Sequence, residues 1–238
     1  MKEQIAEWNK IFSDQSPEEI LSFAANTIKD RLVFASSLGA EDQVIVSMIS
    51  QLKLKIHVFT LDTGRLFPET LQLLDRTITS LNIPIQVYFP DQAEVEEMVN
   101  KKGINLFYDS VENRKLCCRI RKVNLLTRAL KNADAWITGI RSEQSENRSA
   151  MEVFEWDEGS KKIKVNPLLN WPLEMVWDYL KKNAVPYNPL HDKGFRSIGC
   201  SPCTRAVKTG QDFRAGRWWW EDSSAKECGL HITDSPAD

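Results

Sequence analysis

Residues 31–52 read "RLVFASSLGAEDQVIVSMISQL", and the periodicity changes within them. "RLVFASS" (31–37) is a short apolar run of the kind that forms a buried strand. In "DQVIVSMISQL" (42–52), Val44, Ile45, Met48, Ile49 and Leu52 recur at helical spacing. A strand, a glycine turn and a helix make the unit that parallel sheets repeat. The chain does repeat it. "KIHVFTLD" (55–62) predicts a second strand, and "PETLQLLDRTITSL" (68–81) a helix opened by proline in its first turn. "IPIQVYF" (83–89) predicts a third strand, followed by the acidic helix "DQAEVEEMVNKK". "KVNLLTRALKN" (122–132) predicts a helix and "ADAWITGI" (133–140) a fourth strand. "VFEWDEGSKKIKVNPLL" predicts a hairpin turning at Asp157 to Ser160, and "PLEMVWDYLKKN" (172–183) a further helix. The expectation is an α/β fold, a mainly parallel sheet flanked by helices.

With 238 residues, 42% hydrophobic and 27% charged, the chain suits one sizeable soluble core. A formal net charge of −2 gives no overall pull toward nucleic acid or membrane, so any anion site must be local. No apolar run reaches membrane-span length, and "MKEQIAEWNK" lacks the apolar core of a secretory signal. The expected compartment is the cytoplasm, where cysteines serve more often as metal ligands or catalysts than as disulfides. After residue 204 the texture loses its period. Residues 1–204 are expected to form the folded domain and 205–238 a tail that packs weakly or moves.

Three connections carry chemistry. "SSLGAED" (36–42) places Ser36, Ser37 and Gly39 before a helix amino terminus, where backbone N–H groups can face an anion. It matches neither the GxxxxGK[ST] nor the GxGxxG pattern, and an ordinary turn with Glu41 and Asp42 in the first helical turn is equally compatible. "LDTGRLFPET" (61–70) puts Leu61, Asp62 and Gly64 beyond the second strand, although Asp62 can equally cap its own turn. "GIRSEQSENR" (139–148) brings Gly139, Arg141 and Arg148 to the same edge, and arginine forks suit phosphate or sulfate oxygens. In open parallel sheets, ligands bind at that edge.

Four of the five cysteines come in two pairs: Cys117 and Cys118 in "NRKLCCRIRK", Cys200 and Cys203 in "GCSPCTR". Four thiolates are the number required by tetrahedral zinc or a 4Fe–4S cluster. Adjacent helical residues point about 100° apart, a poor grip on one small ion and an easier one on separate irons. The cluster is the favoured reading; zinc and four buried free thiols are the others. Arg114, Lys115, Arg119, Arg121 and Lys122 would offset the cluster's negative charge. The fifth cysteine, Cys228 in "KECGLH", has Lys226 before it and His231 after it.

"SSLGAED", "LDTG", "RKLCC", "TGIRSEQS", "GCSPCTR" and "KECGLH" together make the chain resemble the assimilatory sulfonucleotide reductases, in the branch acting on adenosine 5'-phosphosulfate (APS). The resemblance implies an adenine-nucleotide α-hydrolase-like fold with a mobile C-terminal tail, a 4Fe–4S cluster, thioredoxin as electron donor and homo-oligomers. By motif it implies Cys117, Cys118, Cys200 and Cys203 as cluster ligands, Cys228 as nucleophile, and Lys122 between cluster and substrate. Arg214 and Arg217 in "FRAGR", with His231, match tail residues that close over the phosphosulfate. Ser36, Ser37, Gly39, Leu61, Gly139 and Arg148 match nucleotide contacts. Relatives acting on the 3'-phosphorylated nucleotide (PAPS) share "ECGLH" but typically lack the cysteine pairs, so the pairs point to APS, with a PAPS or dual reductase as the alternative. A cluster-bearing tRNA sulfur transferase would need an S-G-G-x-D-S loop, which is absent from this sequence. A non-catalytic iron–sulfur redox sensor is the reading from a different class. "RWWW" (217–220) is expected to pack, or else to dock the tail or thioredoxin.

Overall fold

The computed structural model describes residues 2–144, 148, 150–208 and 210–221. Cys228, His231 and the rest of the expected tail beyond residue 221 lie outside the described residues.

Six strands form one sheet in the order β3-β2-β1-β4-β6-β5. They are β1 (Leu32–Ser36), β2 (His57–Leu61), β3 (Ile85–Tyr88), β4 (Ala135–Ile137), β5 (Phe154–Asp157) and β6 (Lys162–Val165). Every pairing is parallel except β5 with β6, the expected hairpin at the sheet edge. The helices are α1 (Lys2–Phe12), α2 (Pro17–Ile28), α3 (Ala40–Gln51), α4 (Pro68–Leu81), α5 (Gln92–Lys102), α6 (Val111–Cys118), α7 (Asn124–Ala129) and α8 (Leu173–Lys182). None of them is long and apolar enough to cross a membrane.

The predicted strand–helix units all form, and α4 has the predicted bounds. Three helices were not read from the sequence. α1 packs Ile5 and Trp8 inward, and α2 begins at a capping box in which Ser16 Oγ accepts from the Glu19 N–H and the Glu19 carboxylate accepts from the Ser16 N–H. α6 ends at the vicinal cysteines and runs into a π-helical turn (Arg119–Val123) that precedes α7. Such turns insert an extra residue per repeat and are common at functional sites.

Apolar side chains cover both sheet faces, which is why the central strands are near-continuous apolar runs. Phe34, Val58, Ile137 and Val165 pack with α1, α2, α3 and α8 on one face; Val33, Phe59 and Trp136 pack with Leu126 and Leu130 on the other. A third cluster, lying off the sheet, joins Met98, Leu106 and Phe107 to Cys203 and Trp218.

Within the expected tail, the stretch at Arg217 and Trp218 packs against the rest of the protein. Thr204 bridges to Arg217, the Trp218 N–H donates to the Cys203 carbonyl at 3.2 Å, and the Trp218 side chain is 1% exposed. Two guanidinium groups approach its indole, Arg114 at 4.7 Å and Arg217 at 4.6 Å from the ring centroid. Packing is therefore what the first tryptophan of "RWWW" does. Aromatic bulk and paired cations supply the burial that glycines and scattered charges obscured in the sequence.

Candidate active site

β1 lies between β2 and β4, and the chain leaves it outward to β2 and β3 before returning to β4. The connections after β1 and β4 therefore diverge, opening a crevice at the carboxyl ends of the strands. A cavity of about 250 Å³ occupies that crevice. Its wall includes Ser36, Ser37 and Gly39 after β1, Leu61 at the end of β2, Gly139 after β4, and Arg148. Lys122, Arg196, Arg214 and Arg217 reach it from other segments, so five basic side chains border one cavity. Such a concentration in a near-neutral protein suits a multiply charged anion.

The first turn is held in an unusual shape. Leu38, fully buried, has φ 61°, in the left-handed region that bulky residues avoid. Its N–H donates to Ser36 Oγ at 3.1 Å. The Asp42 carboxylate accepts from both the Ser37 N–H at 2.5 Å and the Ser37 hydroxyl at 2.6 Å. A side chain on Gly139 would put its Cβ 2.1 Å from Asp42 Oδ1, so the β4 connection must carry glycine there for the two edges to meet. Strain of this kind persists only where surrounding structure enforces it, and it gathers at binding sites.

Burial pushes the Asp42 carboxyl up to about 6, against the opposing effect of the Ser37 hydrogen bonds. A carboxyl whose folded value is raised binds its proton more tightly in the folded chain. Its contribution to stability is therefore fully present below the ordinary aspartate range and is lost as pH rises through about 6. Asp42→Asn should melt higher than wild type at pH 7.5, by on the order of 5 °C. The gap should close as pH falls toward about 4. Parallel thermal melts across that range check this; a gap independent of pH would contradict it.

Three expected cavity residues lie elsewhere. Arg141, 2% exposed, donates from Nε to Glu41 at 2.9 Å and pairs with Glu143 at 3.0 Å, so its guanidinium buttresses the wall from behind. Asp62 caps its own turn, accepting from the Gly64 N–H at 2.8 Å. Gly64, at φ 69°, leaves space beside Arg121, whose Nη1 would sit 3.2 Å from a Cβ. Sequence reading also missed His191, Arg196, Ser197, Gly199 and Phe213, all of which line the cavity. They belong to loops without a period, where the proximity of "FRSIG" to Cys200 and of Phe213 to Arg214 in "FRAGR" offered the signal.

A small void adjoins the cavity. Cys117, Cys118, Cys200 and Cys203 all line it, with Arg65, Arg114, Arg121, Lys122, Arg217 and Trp218. The last turn of α6 delivers the first pair. A 3-10 turn (Ser201–Cys203) folds the second pair back, with the Cys203 N–H donating to the Cys200 carbonyl at 2.9 Å. Of the expected charge-balancing residues, Arg114, Arg121 and Lys122 take part. Lys115 and Arg119 are exposed on α6 and the π turn and border neither space, because residues on opposite sides of a helix cannot share one wall. Arg65 and Arg217 take their place, and Lys122 and Arg217 border both spaces.

None of the four forms a disulfide with another described residue. Burial pushes the Cys203 thiol up to about 12, with Cys200 and Cys118 adding to the effect, and burial also raises Cys117. Four thiolates cannot share such a void without a cationic centre to hold them. Among the described residues no three Cys, His, Asp or Glu side chains are arranged around a single ion. In number and donor type, four sulfurs lining one void fit a thiolate-bound metal group.

The profile of the phosphoadenosine phosphosulfate reductase domain matches residues 31–206. The adenosine 5'-phosphosulfate reductase of Allochromatium vinosum is 47% identical over 213 residues, covering 90% of this chain and 83% of that protein. That of Burkholderia cepacia is 50% identical over 204 residues, covering 86% and 82%. The phosphate complex of the phosphoadenylyl-sulfate reductase from Candida auris superposes with a TM-score of 0.76 at 34% identity, over 87% of this chain and 98% of that one. Yeast FAD synthetase, at 16% identity and a TM-score of 0.55 over 85% of this chain and 68% of its own, shares the fold.

Proposed function

Because the chain belongs to the phosphoadenosine phosphosulfate reductase domain family, we propose that it reduces adenosine 5'-phosphosulfate to sulfite and AMP in sulfate assimilation. The observation that carries this reading is the shared wall: a switch-point cavity bordered by five basic side chains meets a four-cysteine void through Lys122 and Arg217.

The Cys228 thiolate attacks the sulfur of the phosphosulfate. The sulfur–oxygen bond to AMP breaks, its electron pair leaves on the AMP phosphate, and an S-sulfocysteine remains on the enzyme. A thioredoxin thiolate then attacks Cys228 sulfur and sulfite departs. The second thioredoxin thiol resolves the mixed disulfide, so two electrons come from thioredoxin and Cys228 returns as a thiol. Lys122, Arg148, Arg214 and Arg217 hold the charged phosphosulfate and neutralise the departing phosphate. The turn from Ser36 to Gly39 and the edge at Gly139 receive the nucleotide. Cys117, Cys118, Cys200 and Cys203 would hold a 4Fe–4S cluster, which would supply fixed charge beside the substrate. The enzyme works in the cytoplasm, where thiols stay reduced.

The Candida auris neighbour is named for the 3'-phosphorylated nucleotide, so the decisive assay offers both substrates. Anaerobically purified protein, brown and carrying iron, should release equimolar sulfite and AMP from APS with reduced thioredoxin, and far less from PAPS. Turnover confined to PAPS, or full activity in iron-free protein, would overturn the assignment.

A further inference from the structure

His191 follows Leu190 at the start of a 3-10 turn (His191–Lys193), and the residue lines the cavity. Nδ1 lies 2.8 Å from the Phe195 carbonyl oxygen. A carbonyl only accepts, so Nδ1 carries the hydrogen. The edge of Trp177 packs on the ring at 5.2 Å and 80°. One nitrogen and the ring orientation are thus fixed by the protein. The other nitrogen, Nε2, is buried and has no hydrogen-bond partner among the described residues.

We propose that His191 is a binding residue for the nucleotide's sugar: Nε2 accepts a hydrogen bond from a ribose hydroxyl of the bound substrate. The assignment rests on the nucleotide reading above. Its chemistry is set by contrast with the rest of the wall. The five basic side chains there are donors and suit phosphate and sulfate oxygens. The two cavity carboxylates are already engaged, Asp42 by Ser37 and Glu41 by Arg141 and Gln144. That leaves His191 as a neutral acceptor, since burial lowers its affinity for a proton even with Glu41 nearby. A bare ring nitrogen complements a hydroxyl and repels a phosphate oxygen, which has no hydrogen to give. A buried acceptor left unmatched is unfavourable; a nucleotide brings two kinds of donor, the ribose hydroxyls assigned to it here and the adenine amino group, and the deoxynucleotides below tell them apart.

A thermodynamic cycle separates direct contact from mere structural support. Wild-type protein and His191→Phe are titrated calorimetrically with AMP, 2'-deoxy-AMP and 3'-deoxy-AMP. Wild type should bind one of the deoxynucleotides about tenfold more weakly than AMP. His191→Phe should bind AMP about tenfold more weakly and distinguish the same pair by less than twofold. His191→Gln, which restores an acceptor oxygen, should recover part of the discrimination and serves if the phenylalanine variant misfolds. Coupling at the 3'-hydroxyl would make this nitrogen the point where 3'-phosphorylation is sensed. Wild-type protein blind to both hydroxyls, or a variant that keeps the full discrimination, overturns the assignment alone. Wild-type protein that binds no AMP overturns the nucleotide reading together with it.

Discussion

Replacing Cys228 with serine should lower sulfite release by about a thousandfold or more, as loss of a covalent nucleophile does, while AMP affinity and iron content stay within twofold of wild type. Sulfo transfer to the enzyme needs a sulfur nucleophile at the cavity, and among the described residues no cysteine borders it. Four of the five cysteines line the separate void, where the proposed cluster would engage all four sulfurs. The hydroxyls at the β1 turn are committed: Ser36 Oγ accepts from the Leu38 N–H, and the Ser37 hydroxyl donates to Asp42. In the proposed reaction the attacking thiol comes from beyond residue 221, where the sequence offers only Cys228. Serine keeps the size and polarity of the side chain and removes only the thiolate, so nucleotide affinity should be spared. Sulfite release within tenfold of wild type would show that another group attacks.

The strand–turn–helix units were legible because burial on both faces of a parallel sheet demands unbroken apolar strands, and "RLVFASS" and "KIHVFTLD" announce this locally. The four-cysteine assembly was legible only as a count. Its proximity depends on α6 and the Ser201–Cys203 turn meeting across the chain, which no spacing encodes. Arg141 shows where residue type misleads. An arginine after a parallel strand reads the same whether a phosphate or a carboxylate awaits it, and here Glu41, a hundred residues away in sequence, takes the guanidinium. Arg196 and His191 were missed for the complementary reason: they sit in loops whose shape comes from contacts such as His191 Nδ1 to Phe195, not from a repeating pattern. The capping box at Ser16 and Glu19 was a readable signal for α2 that the strand-centred reading passed over.

Arg114→Met should destabilise the protein by about 3–5 kcal/mol, a large part of the roughly 5–15 kcal/mol that holds a domain folded. The melting temperature should fall by on the order of 10 °C. Arg114 and Glu221 form two hydrogen bonds, of 2.9 and 2.8 Å, with side chains 1% and 3% exposed. Removing one partner leaves Glu221 charged, buried and uncompensated; removing both does not. Arg114→Met with Glu221→Met should therefore recover most of the lost melting temperature. The pair also has a place in the reaction. Arg114 precedes Cys117 by less than one helical turn, and Glu221 precedes Cys228 by seven residues, a stretch that covalent geometry limits to about 25 Å of reach. The clasp thus joins the cysteine-bearing helix to the point from which the nucleophile's segment departs. A double variant that melts like wild type but transfers sulfo groups more slowly would assign the clasp to positioning as well as stability. If the single variant melts within about 2 °C of wild type, less than 1 kcal/mol for a chain of this size, the buried pair does not hold α6 to the residues that lead into the C-terminus.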